Sequence, residues 1–150
     1  MLKIAIGCDH GAVDLKDAVV KFLKEKGYPV SDCGTFGYES VDYPDFAEKV
    51  CKEVLERKAD RGIVICSTGI GISISANKIP GIRCALLTDV YSAKLTREHN
   101  DANVMALGAK VTGEGLALMI VETFLSTDFS NIERHQRRID KISQIEKNYK

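Results

Sequence analysis

The 150-residue sequence has no excess of charge of either sign and no long hydrophobic run. Lysine plus arginine number 21 and aspartate plus glutamate number 21, which argues against a global electrostatic attraction to nucleic acid or to an anionic membrane. No segment approaches the about 18 consecutive apolar residues of a membrane span, and the first residues do not resemble a secretory leader. Any anion-binding site must therefore be built locally.

The five cysteines lack the spacing of a zinc site. They are Cys8, Cys33, Cys51, Cys66 and Cys84, an odd number with no CxxC pair and no Cys/His pair at metal-ligand spacing. Free thiols are typical of a reducing compartment. We therefore expect a cytoplasmic protein with no bound metal.

Short apolar runs alternate with longer amphipathic segments along the chain. The runs predict strands at 2–8, 29–33, 63–66, 83–87 and 104–107. The amphipathic segments predict helices at 12–26, from a cap at Asp45, from the 67–71 loop to about 79, at 90–99, at 113–125 and at about 131–149. This alternation predicts one α/β domain over residues 1–150, a five-stranded parallel sheet with helices on both faces in a Rossmann-like three-layer sandwich.

The last helix, at about 131–149, is additional to that sandwich. Its apolar stripe contains Ile139, Ile142, Ile145 and Tyr149. A stripe of this kind must be covered, either by a partner subunit or by the sheet of its own chain. The sequence leaves these two alternatives open.

Polar residues flank several predicted strands, and ligands of open parallel sheets bind at the carboxyl ends of the strands. Asp9 and His10 follow the first strand, and Cys66 ends the third. His99 and Asn100 come just before the fifth strand. We expect His10 and His99, two of the three histidines, to lie at this same edge.

The loop after the third strand contains two glycines and two hydroxyl side chains. It runs Ser67, Thr68, Gly69, Ile70 and Gly71, and it leads into a helix N-terminus whose free amides favour negative charge. This arrangement predicts a site for a phosphate or for an oxyanion that forms during a reaction. It matches neither the GxGxxG fingerprint nor a P-loop, and a tight strand–helix turn is the alternative interpretation.

Cys66 ends the central strand directly before that loop. Helix N-terminal amides favour a thiolate, which can act as a nucleophile or as a general base. The alternative is a buried cysteine that serves as a small apolar side chain. The position alone does not decide between these interpretations.

Arg134 and Arg138 lie four residues apart in the last predicted helix and share a face. Like charges at that spacing repel, and a phosphate that accepts hydrogen bonds from both would turn the repulsion into attraction. A solvated basic face balanced by Glu133 and Asp140 is the alternative.

Taken together, these segments resemble the family of type B ribose-5-phosphate isomerases, which also holds galactose-6-phosphate isomerase. The matching segments are collinear and extend over nearly the whole chain, at 4–11, 42–44, 66–78, 81–83, 91–93, 99–104 and 134–138. The resemblance implies interconversion of D-ribose 5-phosphate and D-ribulose 5-phosphate, a step of the pentose phosphate pathway. It implies no cofactor, no metal, and a homodimer or tetramer with active sites shared between subunits.

The resemblance also implies roles for individual residues. Cys66 would move the proton between C1 and C2, His99 would open the sugar ring, and the 67–71 amides, with Thr68, would stabilise the enediolate. The implied substrate-binding residues are Asp9, His10, Tyr43, Ser67, Thr68, Gly69, Ile70, Gly71, Asn100, Lys110, Arg134 and Arg138. The family commonly has glycine at position 67 and arginine at position 110, so Ser67 and Lys110 are departures.

Three other functions fit part of this pattern. The same chemistry on a six-carbon sugar phosphate, such as allose 6-phosphate or galactose 6-phosphate, uses the same residue types. A non-catalytic, flavodoxin-like phosphate-binding module would explain the fold and the glycine loop but not Cys66 and His99. A Cys66 nucleophile that forms a covalent intermediate is the third alternative.

Overall fold

The computed structural model describes residues 1–149 and contains five strands and six helices. The elements in chain order are β1 Ile4–Cys8, α1 Val13–Glu25, β2 Val30–Asp32, α2 Tyr43–Leu55, β3 Arg61–Cys66, α3 Ile70–Asn77, β4 Cys84–Leu86, α4 Val90–Asn100, β5 Val104–Gly108, α5 Glu114–Ser126 and α6 Glu133–Asn148. All neighbouring strands are parallel, in the order β2-β1-β3-β5-β4. The predicted α/β fold is confirmed.

The central strand β3 is buried on both faces, as its apolar run predicts. On one face of the sheet, Ile63 and Ile65 pack with α1, α4 and α5. On the other face, Val64 and Cys66 pack with α2 and α3. Two separate hydrophobic clusters therefore hold the sheet between helices, and Cys66 points toward the α2 and α3 side.

The chain reverses its direction of winding between β1 and β3. These strands are neighbours, but α1 leads outward from β1 to β2 while α3 leads away from β3 toward the opposite edge. Parallel sheets leave a crevice at such a point, beyond the carboxyl ends of the two strands. Cys8 lies opposite Ile65 and Cys66 lies opposite Gly108, so the segments after β1, β3 and β5 meet at this end.

Helix α2 begins earlier than the sequence pattern predicts. Asp45 is not the N-cap; Asp42 occupies that position in extended conformation, and its side chain makes no capping hydrogen bond. Pro44 in the first turn explains the early start, because its fixed φ suits a helix and its missing N–H would have no partner there. The helix therefore takes Tyr43 into its first turn.

Helix α6 packs mainly against α4. His135 and Ile139 are its buried residues. The rest of the apolar stripe is exposed, since Ile142 is 47% and Ile145 is 60% accessible to solvent. Within residues 1–149, no helix has the length and apolar character needed to cross a bilayer.

Candidate active site

The crevice at the reversal point has a volume of about 840 Å³ and is open to solvent. Its walls come from the segments that follow β1 and β3 and from the start of α2. The lining residues are Asp9, His10, Ser40, Val41, Asp42, Tyr43, Pro44, Asp45, Cys66, Ser67, Thr68, Ile70 and Gly71. A groove of similar size beneath α6 is lined mainly by apolar groups and lacks Cys66, so we place the chemistry in the crevice.

The 67–71 loop turns its backbone amides toward Cys66. The Gly69 N–H donates to the Cys66 Sγ at 3.2 Å, and the Ile70 N–H donates to the Thr68 Oγ1 at 3.2 Å. The first-turn amides that follow, at Gly71 and residue 72, are groups that an α-helix leaves free. The loop therefore gives the sulfur one backbone donor and presents further donors for an anion.

Two glycines make this loop geometry possible. Gly69 has a φ of 77°, in the left-handed region, and a Cβ there would lie 2.8 Å from the carbonyl carbon of Leu107. A Cβ on Gly108 in β5 would lie 2.5 Å from the carbonyl oxygen of Thr68. The backbone N–H of Lys110 donates to the Ser67 carbonyl at 3.0 Å and fixes the loop from the same side.

Cys66 is chemically distinct from the other cysteines. Among residues 1–149, it is the one cysteine whose sulfur accepts a backbone N–H. Burial raises the pKa of Cys8 and of Cys51 to about 12, and it also raises the pKa values of Cys33 and Cys84. Burial therefore disfavours the thiolate at those four positions, whereas a backbone N–H is placed to stabilise a thiolate at Cys66.

Asp9 and His10 form the wall opposite the loop. Asp9 is buried, and its Oδ1 accepts the Gly11 N–H at 3.0 Å. His10 Nδ1 accepts the Val41 N–H at 3.2 Å, which assigns the proton of the neutral ring to Nε2. His10 therefore offers an N–H donor to a ligand.

Glycines also bring the walls close together. A Cβ on Gly11 would lie 2.5 Å from the Ser67 hydroxyl oxygen. A Cβ on Gly71 would lie 2.5 Å from the ring of Tyr43. The Ser67 hydroxyl and the Tyr43 ring thus occupy space that any larger residue at positions 11 or 71 would take.

The remaining predicted residues lie at the opposite end of the strands, near the amino end of β5. His99 and Asn100 end α4, next to the amino end of β5, so the prediction that His99 shares an edge with His10 was wrong within one chain. The physical reason is that α4 runs antiparallel to the strands and returns the chain to their starting points. Gly62 pairs with Val104 and Cys66 pairs with Gly108. About 13 Å of strand therefore separates the amino ends of β3 and β5 from their carboxyl ends.

Arg134 and Arg138 belong to this second group. Both are exposed on α6 beside His135, whose ring stacks on that of His99. Within residues 1–149, no carboxylate lies within 4.0 Å of either arginine: Glu133 pairs with Arg137 at 2.8 Å, and Asp140 accepts from Gln136. The two guanidinium groups therefore remain available to an external anion.

The predicted site thus divides into two groups. The crevice group contains Asp9, His10, Tyr43 and Cys66 to Gly71, and Lys110 lies at the same edge with an exposed side chain over a smaller recess. The second group contains His99, Asn100, Arg134 and Arg138. Sequence reasoning missed the backbone donor of Val41, because a loop amide carries no side-chain signal.

Several proteins that this chain resembles over nearly its whole length have names of sugar-phosphate isomerases. A model of the ribose/galactose isomerase family matches residues 4–142. The chain is 47% identical over 146 residues to ribose-5-phosphate isomerase B of Escherichia coli, covering 97% of each chain. A solved ribose-5-phosphate isomerase B from Clostridium thermocellum is 56% identical, with a TM-score of 0.97 and coverage of 99% of this chain and 100% of its own. The galactose-6-phosphate isomerase subunit LacB of Clostridium acetobutylicum is 40% identical, covering 98% of this chain and 85% of its own.

Proposed function

We propose that this chain, which belongs to the ribose/galactose isomerase family, interconverts D-ribose 5-phosphate and D-ribulose 5-phosphate. It is an aldose–ketose isomerase of sugar phosphates. The observation that carries the proposal is the contact between the Cys66 sulfur and the Gly69 N–H in the wall of the crevice. This contact supports Cys66 as the base, because enolisation next to a carbonyl requires a base beside donors for the charged oxygen.

The chemistry proceeds through an enediolate. The Cys66 thiolate removes the proton from C2 of the open-chain aldose, the electron pair of that bond forms a C1–C2 double bond, and charge moves onto O1. Amides of the 67–71 loop stabilise the charged oxygen. As the proton on O2 moves to O1 and C2 becomes the carbonyl carbon, the Cys66 thiol returns its proton to C1. Thr68 and the Nε2–H of His10 are placed to hold the sugar oxygens during this transfer.

Ring opening needs a second acid–base group. In our proposal, His99 takes the proton of the C1 hydroxyl of the cyclic sugar, the C1–O bond of the ring breaks as the C1 carbonyl forms, and the protonated imidazole gives the same proton to the released ring oxygen. His99 lies near the amino end of β5, and about 13 Å of strand separates that end from Cys66. In our proposal, His99 therefore serves a crevice in a second copy of the chain. The same crevice of the second copy also receives Asn100, Arg134 and Arg138, and the two arginines bind the phosphate.

A two-fold dimer supplies both groups to each of two sites. In such a dimer the contacts are reciprocal, so the second group of each chain reaches the crevice of the other. The exposed apolar side chains of Ile142, Ile145 and Tyr149 on α6 support burial against a partner. Assembly into a tetramer would add contacts without altering this exchange. The five free cysteines support a cytoplasmic setting.

A six-carbon substrate is the second candidate function. The 40% identity to a galactose-6-phosphate isomerase subunit favours it, and the Ser67 hydroxyl beside Gly11 is a feature that bears on sugar length. A coupled assay of the purified protein against ribose 5-phosphate, allose 6-phosphate and galactose 6-phosphate tests both. We expect the highest kcat/KM for ribose 5-phosphate, and no turnover of any sugar by Cys66→Ala. Turnover of a six-carbon sugar alone would contradict the first proposal.

The same assay separates two further alternatives. A protein that binds ribose 5-phosphate without turning over any sugar would be a non-catalytic phosphate-binding module. A covalent Cys66 intermediate is a matter of mechanism, and mass spectrometry of enzyme quenched during turnover tests it directly. We expect no mass increase on the peptide that carries Cys66, because a base exchanges only a proton with the substrate.

A further inference from the structure

We propose that His135 is a positioning residue that fixes the ring of His99 for ring opening. This inference rests on the proposed role of His99. The carrying observation is a stack between the two imidazoles, whose centroids lie 4.2 Å apart with an interplanar angle of 35°. Among residues 1–149, His135 is the one aromatic side chain in ring contact with His99.

The His135 ring is itself held firmly. It is 3% exposed, and its Nδ1 lies 2.7 Å from the hydroxyl oxygen of Ser130. The backbone N–H of Ser130 donates to the carbonyl of Glu98, the residue before His99, at 3.2 Å. The hydroxyl oxygen of Ser130 also accepts the N–H of Ile132 at 3.2 Å. Ser130 therefore ties the start of α6 to the last turn of α4.

The charges around His135 favour a neutral ring. Burial lowers the pKa of His135, electrostatic interactions with His99, Arg134 and Arg138 lower it further, and a hydrogen bond to the Glu98 backbone opposes them. The Ser130 hydroxyl and the His135 Nδ1 share a hydrogen bond in which the tautomer of the neutral ring decides which group donates. A neutral neighbour gives His99 a flat π face that tolerates the positive charge gained in catalysis, whereas a charged one would repel it.

Simple packing does not account for this arrangement. A buried imidazole must have its polar atoms satisfied, and an apolar residue at position 135 would fill the same space without that requirement. The Ser130 contact fixes the orientation of the His135 ring. Stacking against that ring then restrains the orientation of the His99 ring. His99 is half-exposed and at the end of a helix, where an unsupported side chain would change rotamer freely.

NMR of the free protein tests the contact without using activity. The chain has three histidines, so loss of one imidazole signal in His99→Asn assigns His99. We expect His135→Leu to move the His99 ring signals toward random-coil positions. We expect His135→Phe, which keeps the stacked ring, to leave the His99 signals closer to those of the wild type. Ser130→Ala is a milder perturbation in case His135→Leu does not fold, and it should shift the same signals in the same direction.

Kinetics then connect the contact to the reaction. His135→Leu should lower kcat/KM for ribose 5-phosphate by about tenfold or more, because a small misplacement of a catalytic group is costly. His135→Phe should restore most of that loss. Unchanged His99 signals in both His135→Leu and Ser130→Ala, or a loss that His135→Phe does not restore, would overturn the inference. Full activity of His99→Asn would instead overturn the ring-opening role on which it rests.

Discussion

Complementation between two defective variants tests whether the two residue groups meet across subunits. The first variant is Cys66→Ala, which removes the proposed base. The second carries Arg134→Ala and Arg138→Ala together, which removes the proposed phosphate ligands. Each fails for a different reason, and each failure lies in a different group, separated by about 13 Å of strand within one chain.

The structure sets the expected magnitude. Both arginines are exposed and free of carboxylate partners among residues 1–149, so their full charge is available to phosphate. A charge-assisted hydrogen bond contributes about 1.5–3 kcal/mol, and losing both should lower kcat/KM by about 10²-fold or more. Cys66→Ala should lose about 10²-fold or more as well. Against parents this weak, recovered activity is easily measured.

Random exchange between equal amounts of the two variants makes half of the dimers mixed. Each mixed dimer holds one site with both defects and one intact site, built from the Cys66 of one chain and the arginines of the other. The mixture should therefore reach about one quarter of wild-type kcat/KM per chain. The assay is ribose 5-phosphate turnover below KM, with native mass spectrometry to confirm exchange.

A matched control places all three substitutions in one chain and mixes that chain with wild type. With shared sites, both sites of each mixed dimer are broken, and activity falls to about one quarter. With sites complete within one chain, it falls only to about one half. Confirmed exchange without recovery in the first mixture, together with one half in the second, would refute the shared site.

Three further predictions follow from the same geometry. Cys66→Ala should abolish isomerisation while leaving thermal stability and substrate binding nearly intact. The control variant Cys33→Ala should keep normal turnover. Near-normal turnover by Cys66→Ala would show that Cys66 is not the base. His99→Asn should slow turnover of cyclic ribose 5-phosphate but not of open-chain aldehyde supplied transiently, and equal slowing on both would exclude a ring-opening role. Because burial raises the pKa of Cys8 and Cys51 from 9.0 to about 12, iodoacetamide at pH 8 should leave both unlabelled in the folded protein. Unfolded thiols ionise first, so the free energy of unfolding should fall above about pH 9, by about 1.4 kcal/mol per pH unit for each thiol, and a flat urea-denaturation profile to pH 11 would contradict this.

The sequence predicts much of the fold because strand and helix signals are local. The apolar run that becomes β3 and the stripe that becomes α1 are visible in short windows. The order of the strands is not visible, because β5 inserts between β3 and β4 through pairings that join residues distant in the chain. The early start of α2 depends on Pro44, whose effect competes with the capping signal of Asp45.

The crevice was predictable from Cys66 and the glycine loop, since each follows directly from a strand end. The prediction misplaced His99 because this residue precedes β5 and lies at its amino end, whereas the crevice residues follow their strands and lie at the carboxyl ends. Helix α4 returns the chain from the carboxyl ends of the strands to their amino ends, where β5 begins. Contacts made by backbone groups, such as the N–H of Val41 to His10, leave no pattern in the sequence.

Gly108 has a consequence that reaches beyond its own strand. A single methyl group there would meet the Thr68 carbonyl oxygen at 2.5 Å, although position 108 contributes no side chain to the crevice. The shape of the 67–71 loop thus depends on the absence of a side chain at position 108 of β5. A survey of all substitutions would find position 108 as intolerant as the catalytic positions. Such a result would report the space that the loop needs, and it would be misleading to interpret it as a sign of contact with the substrate.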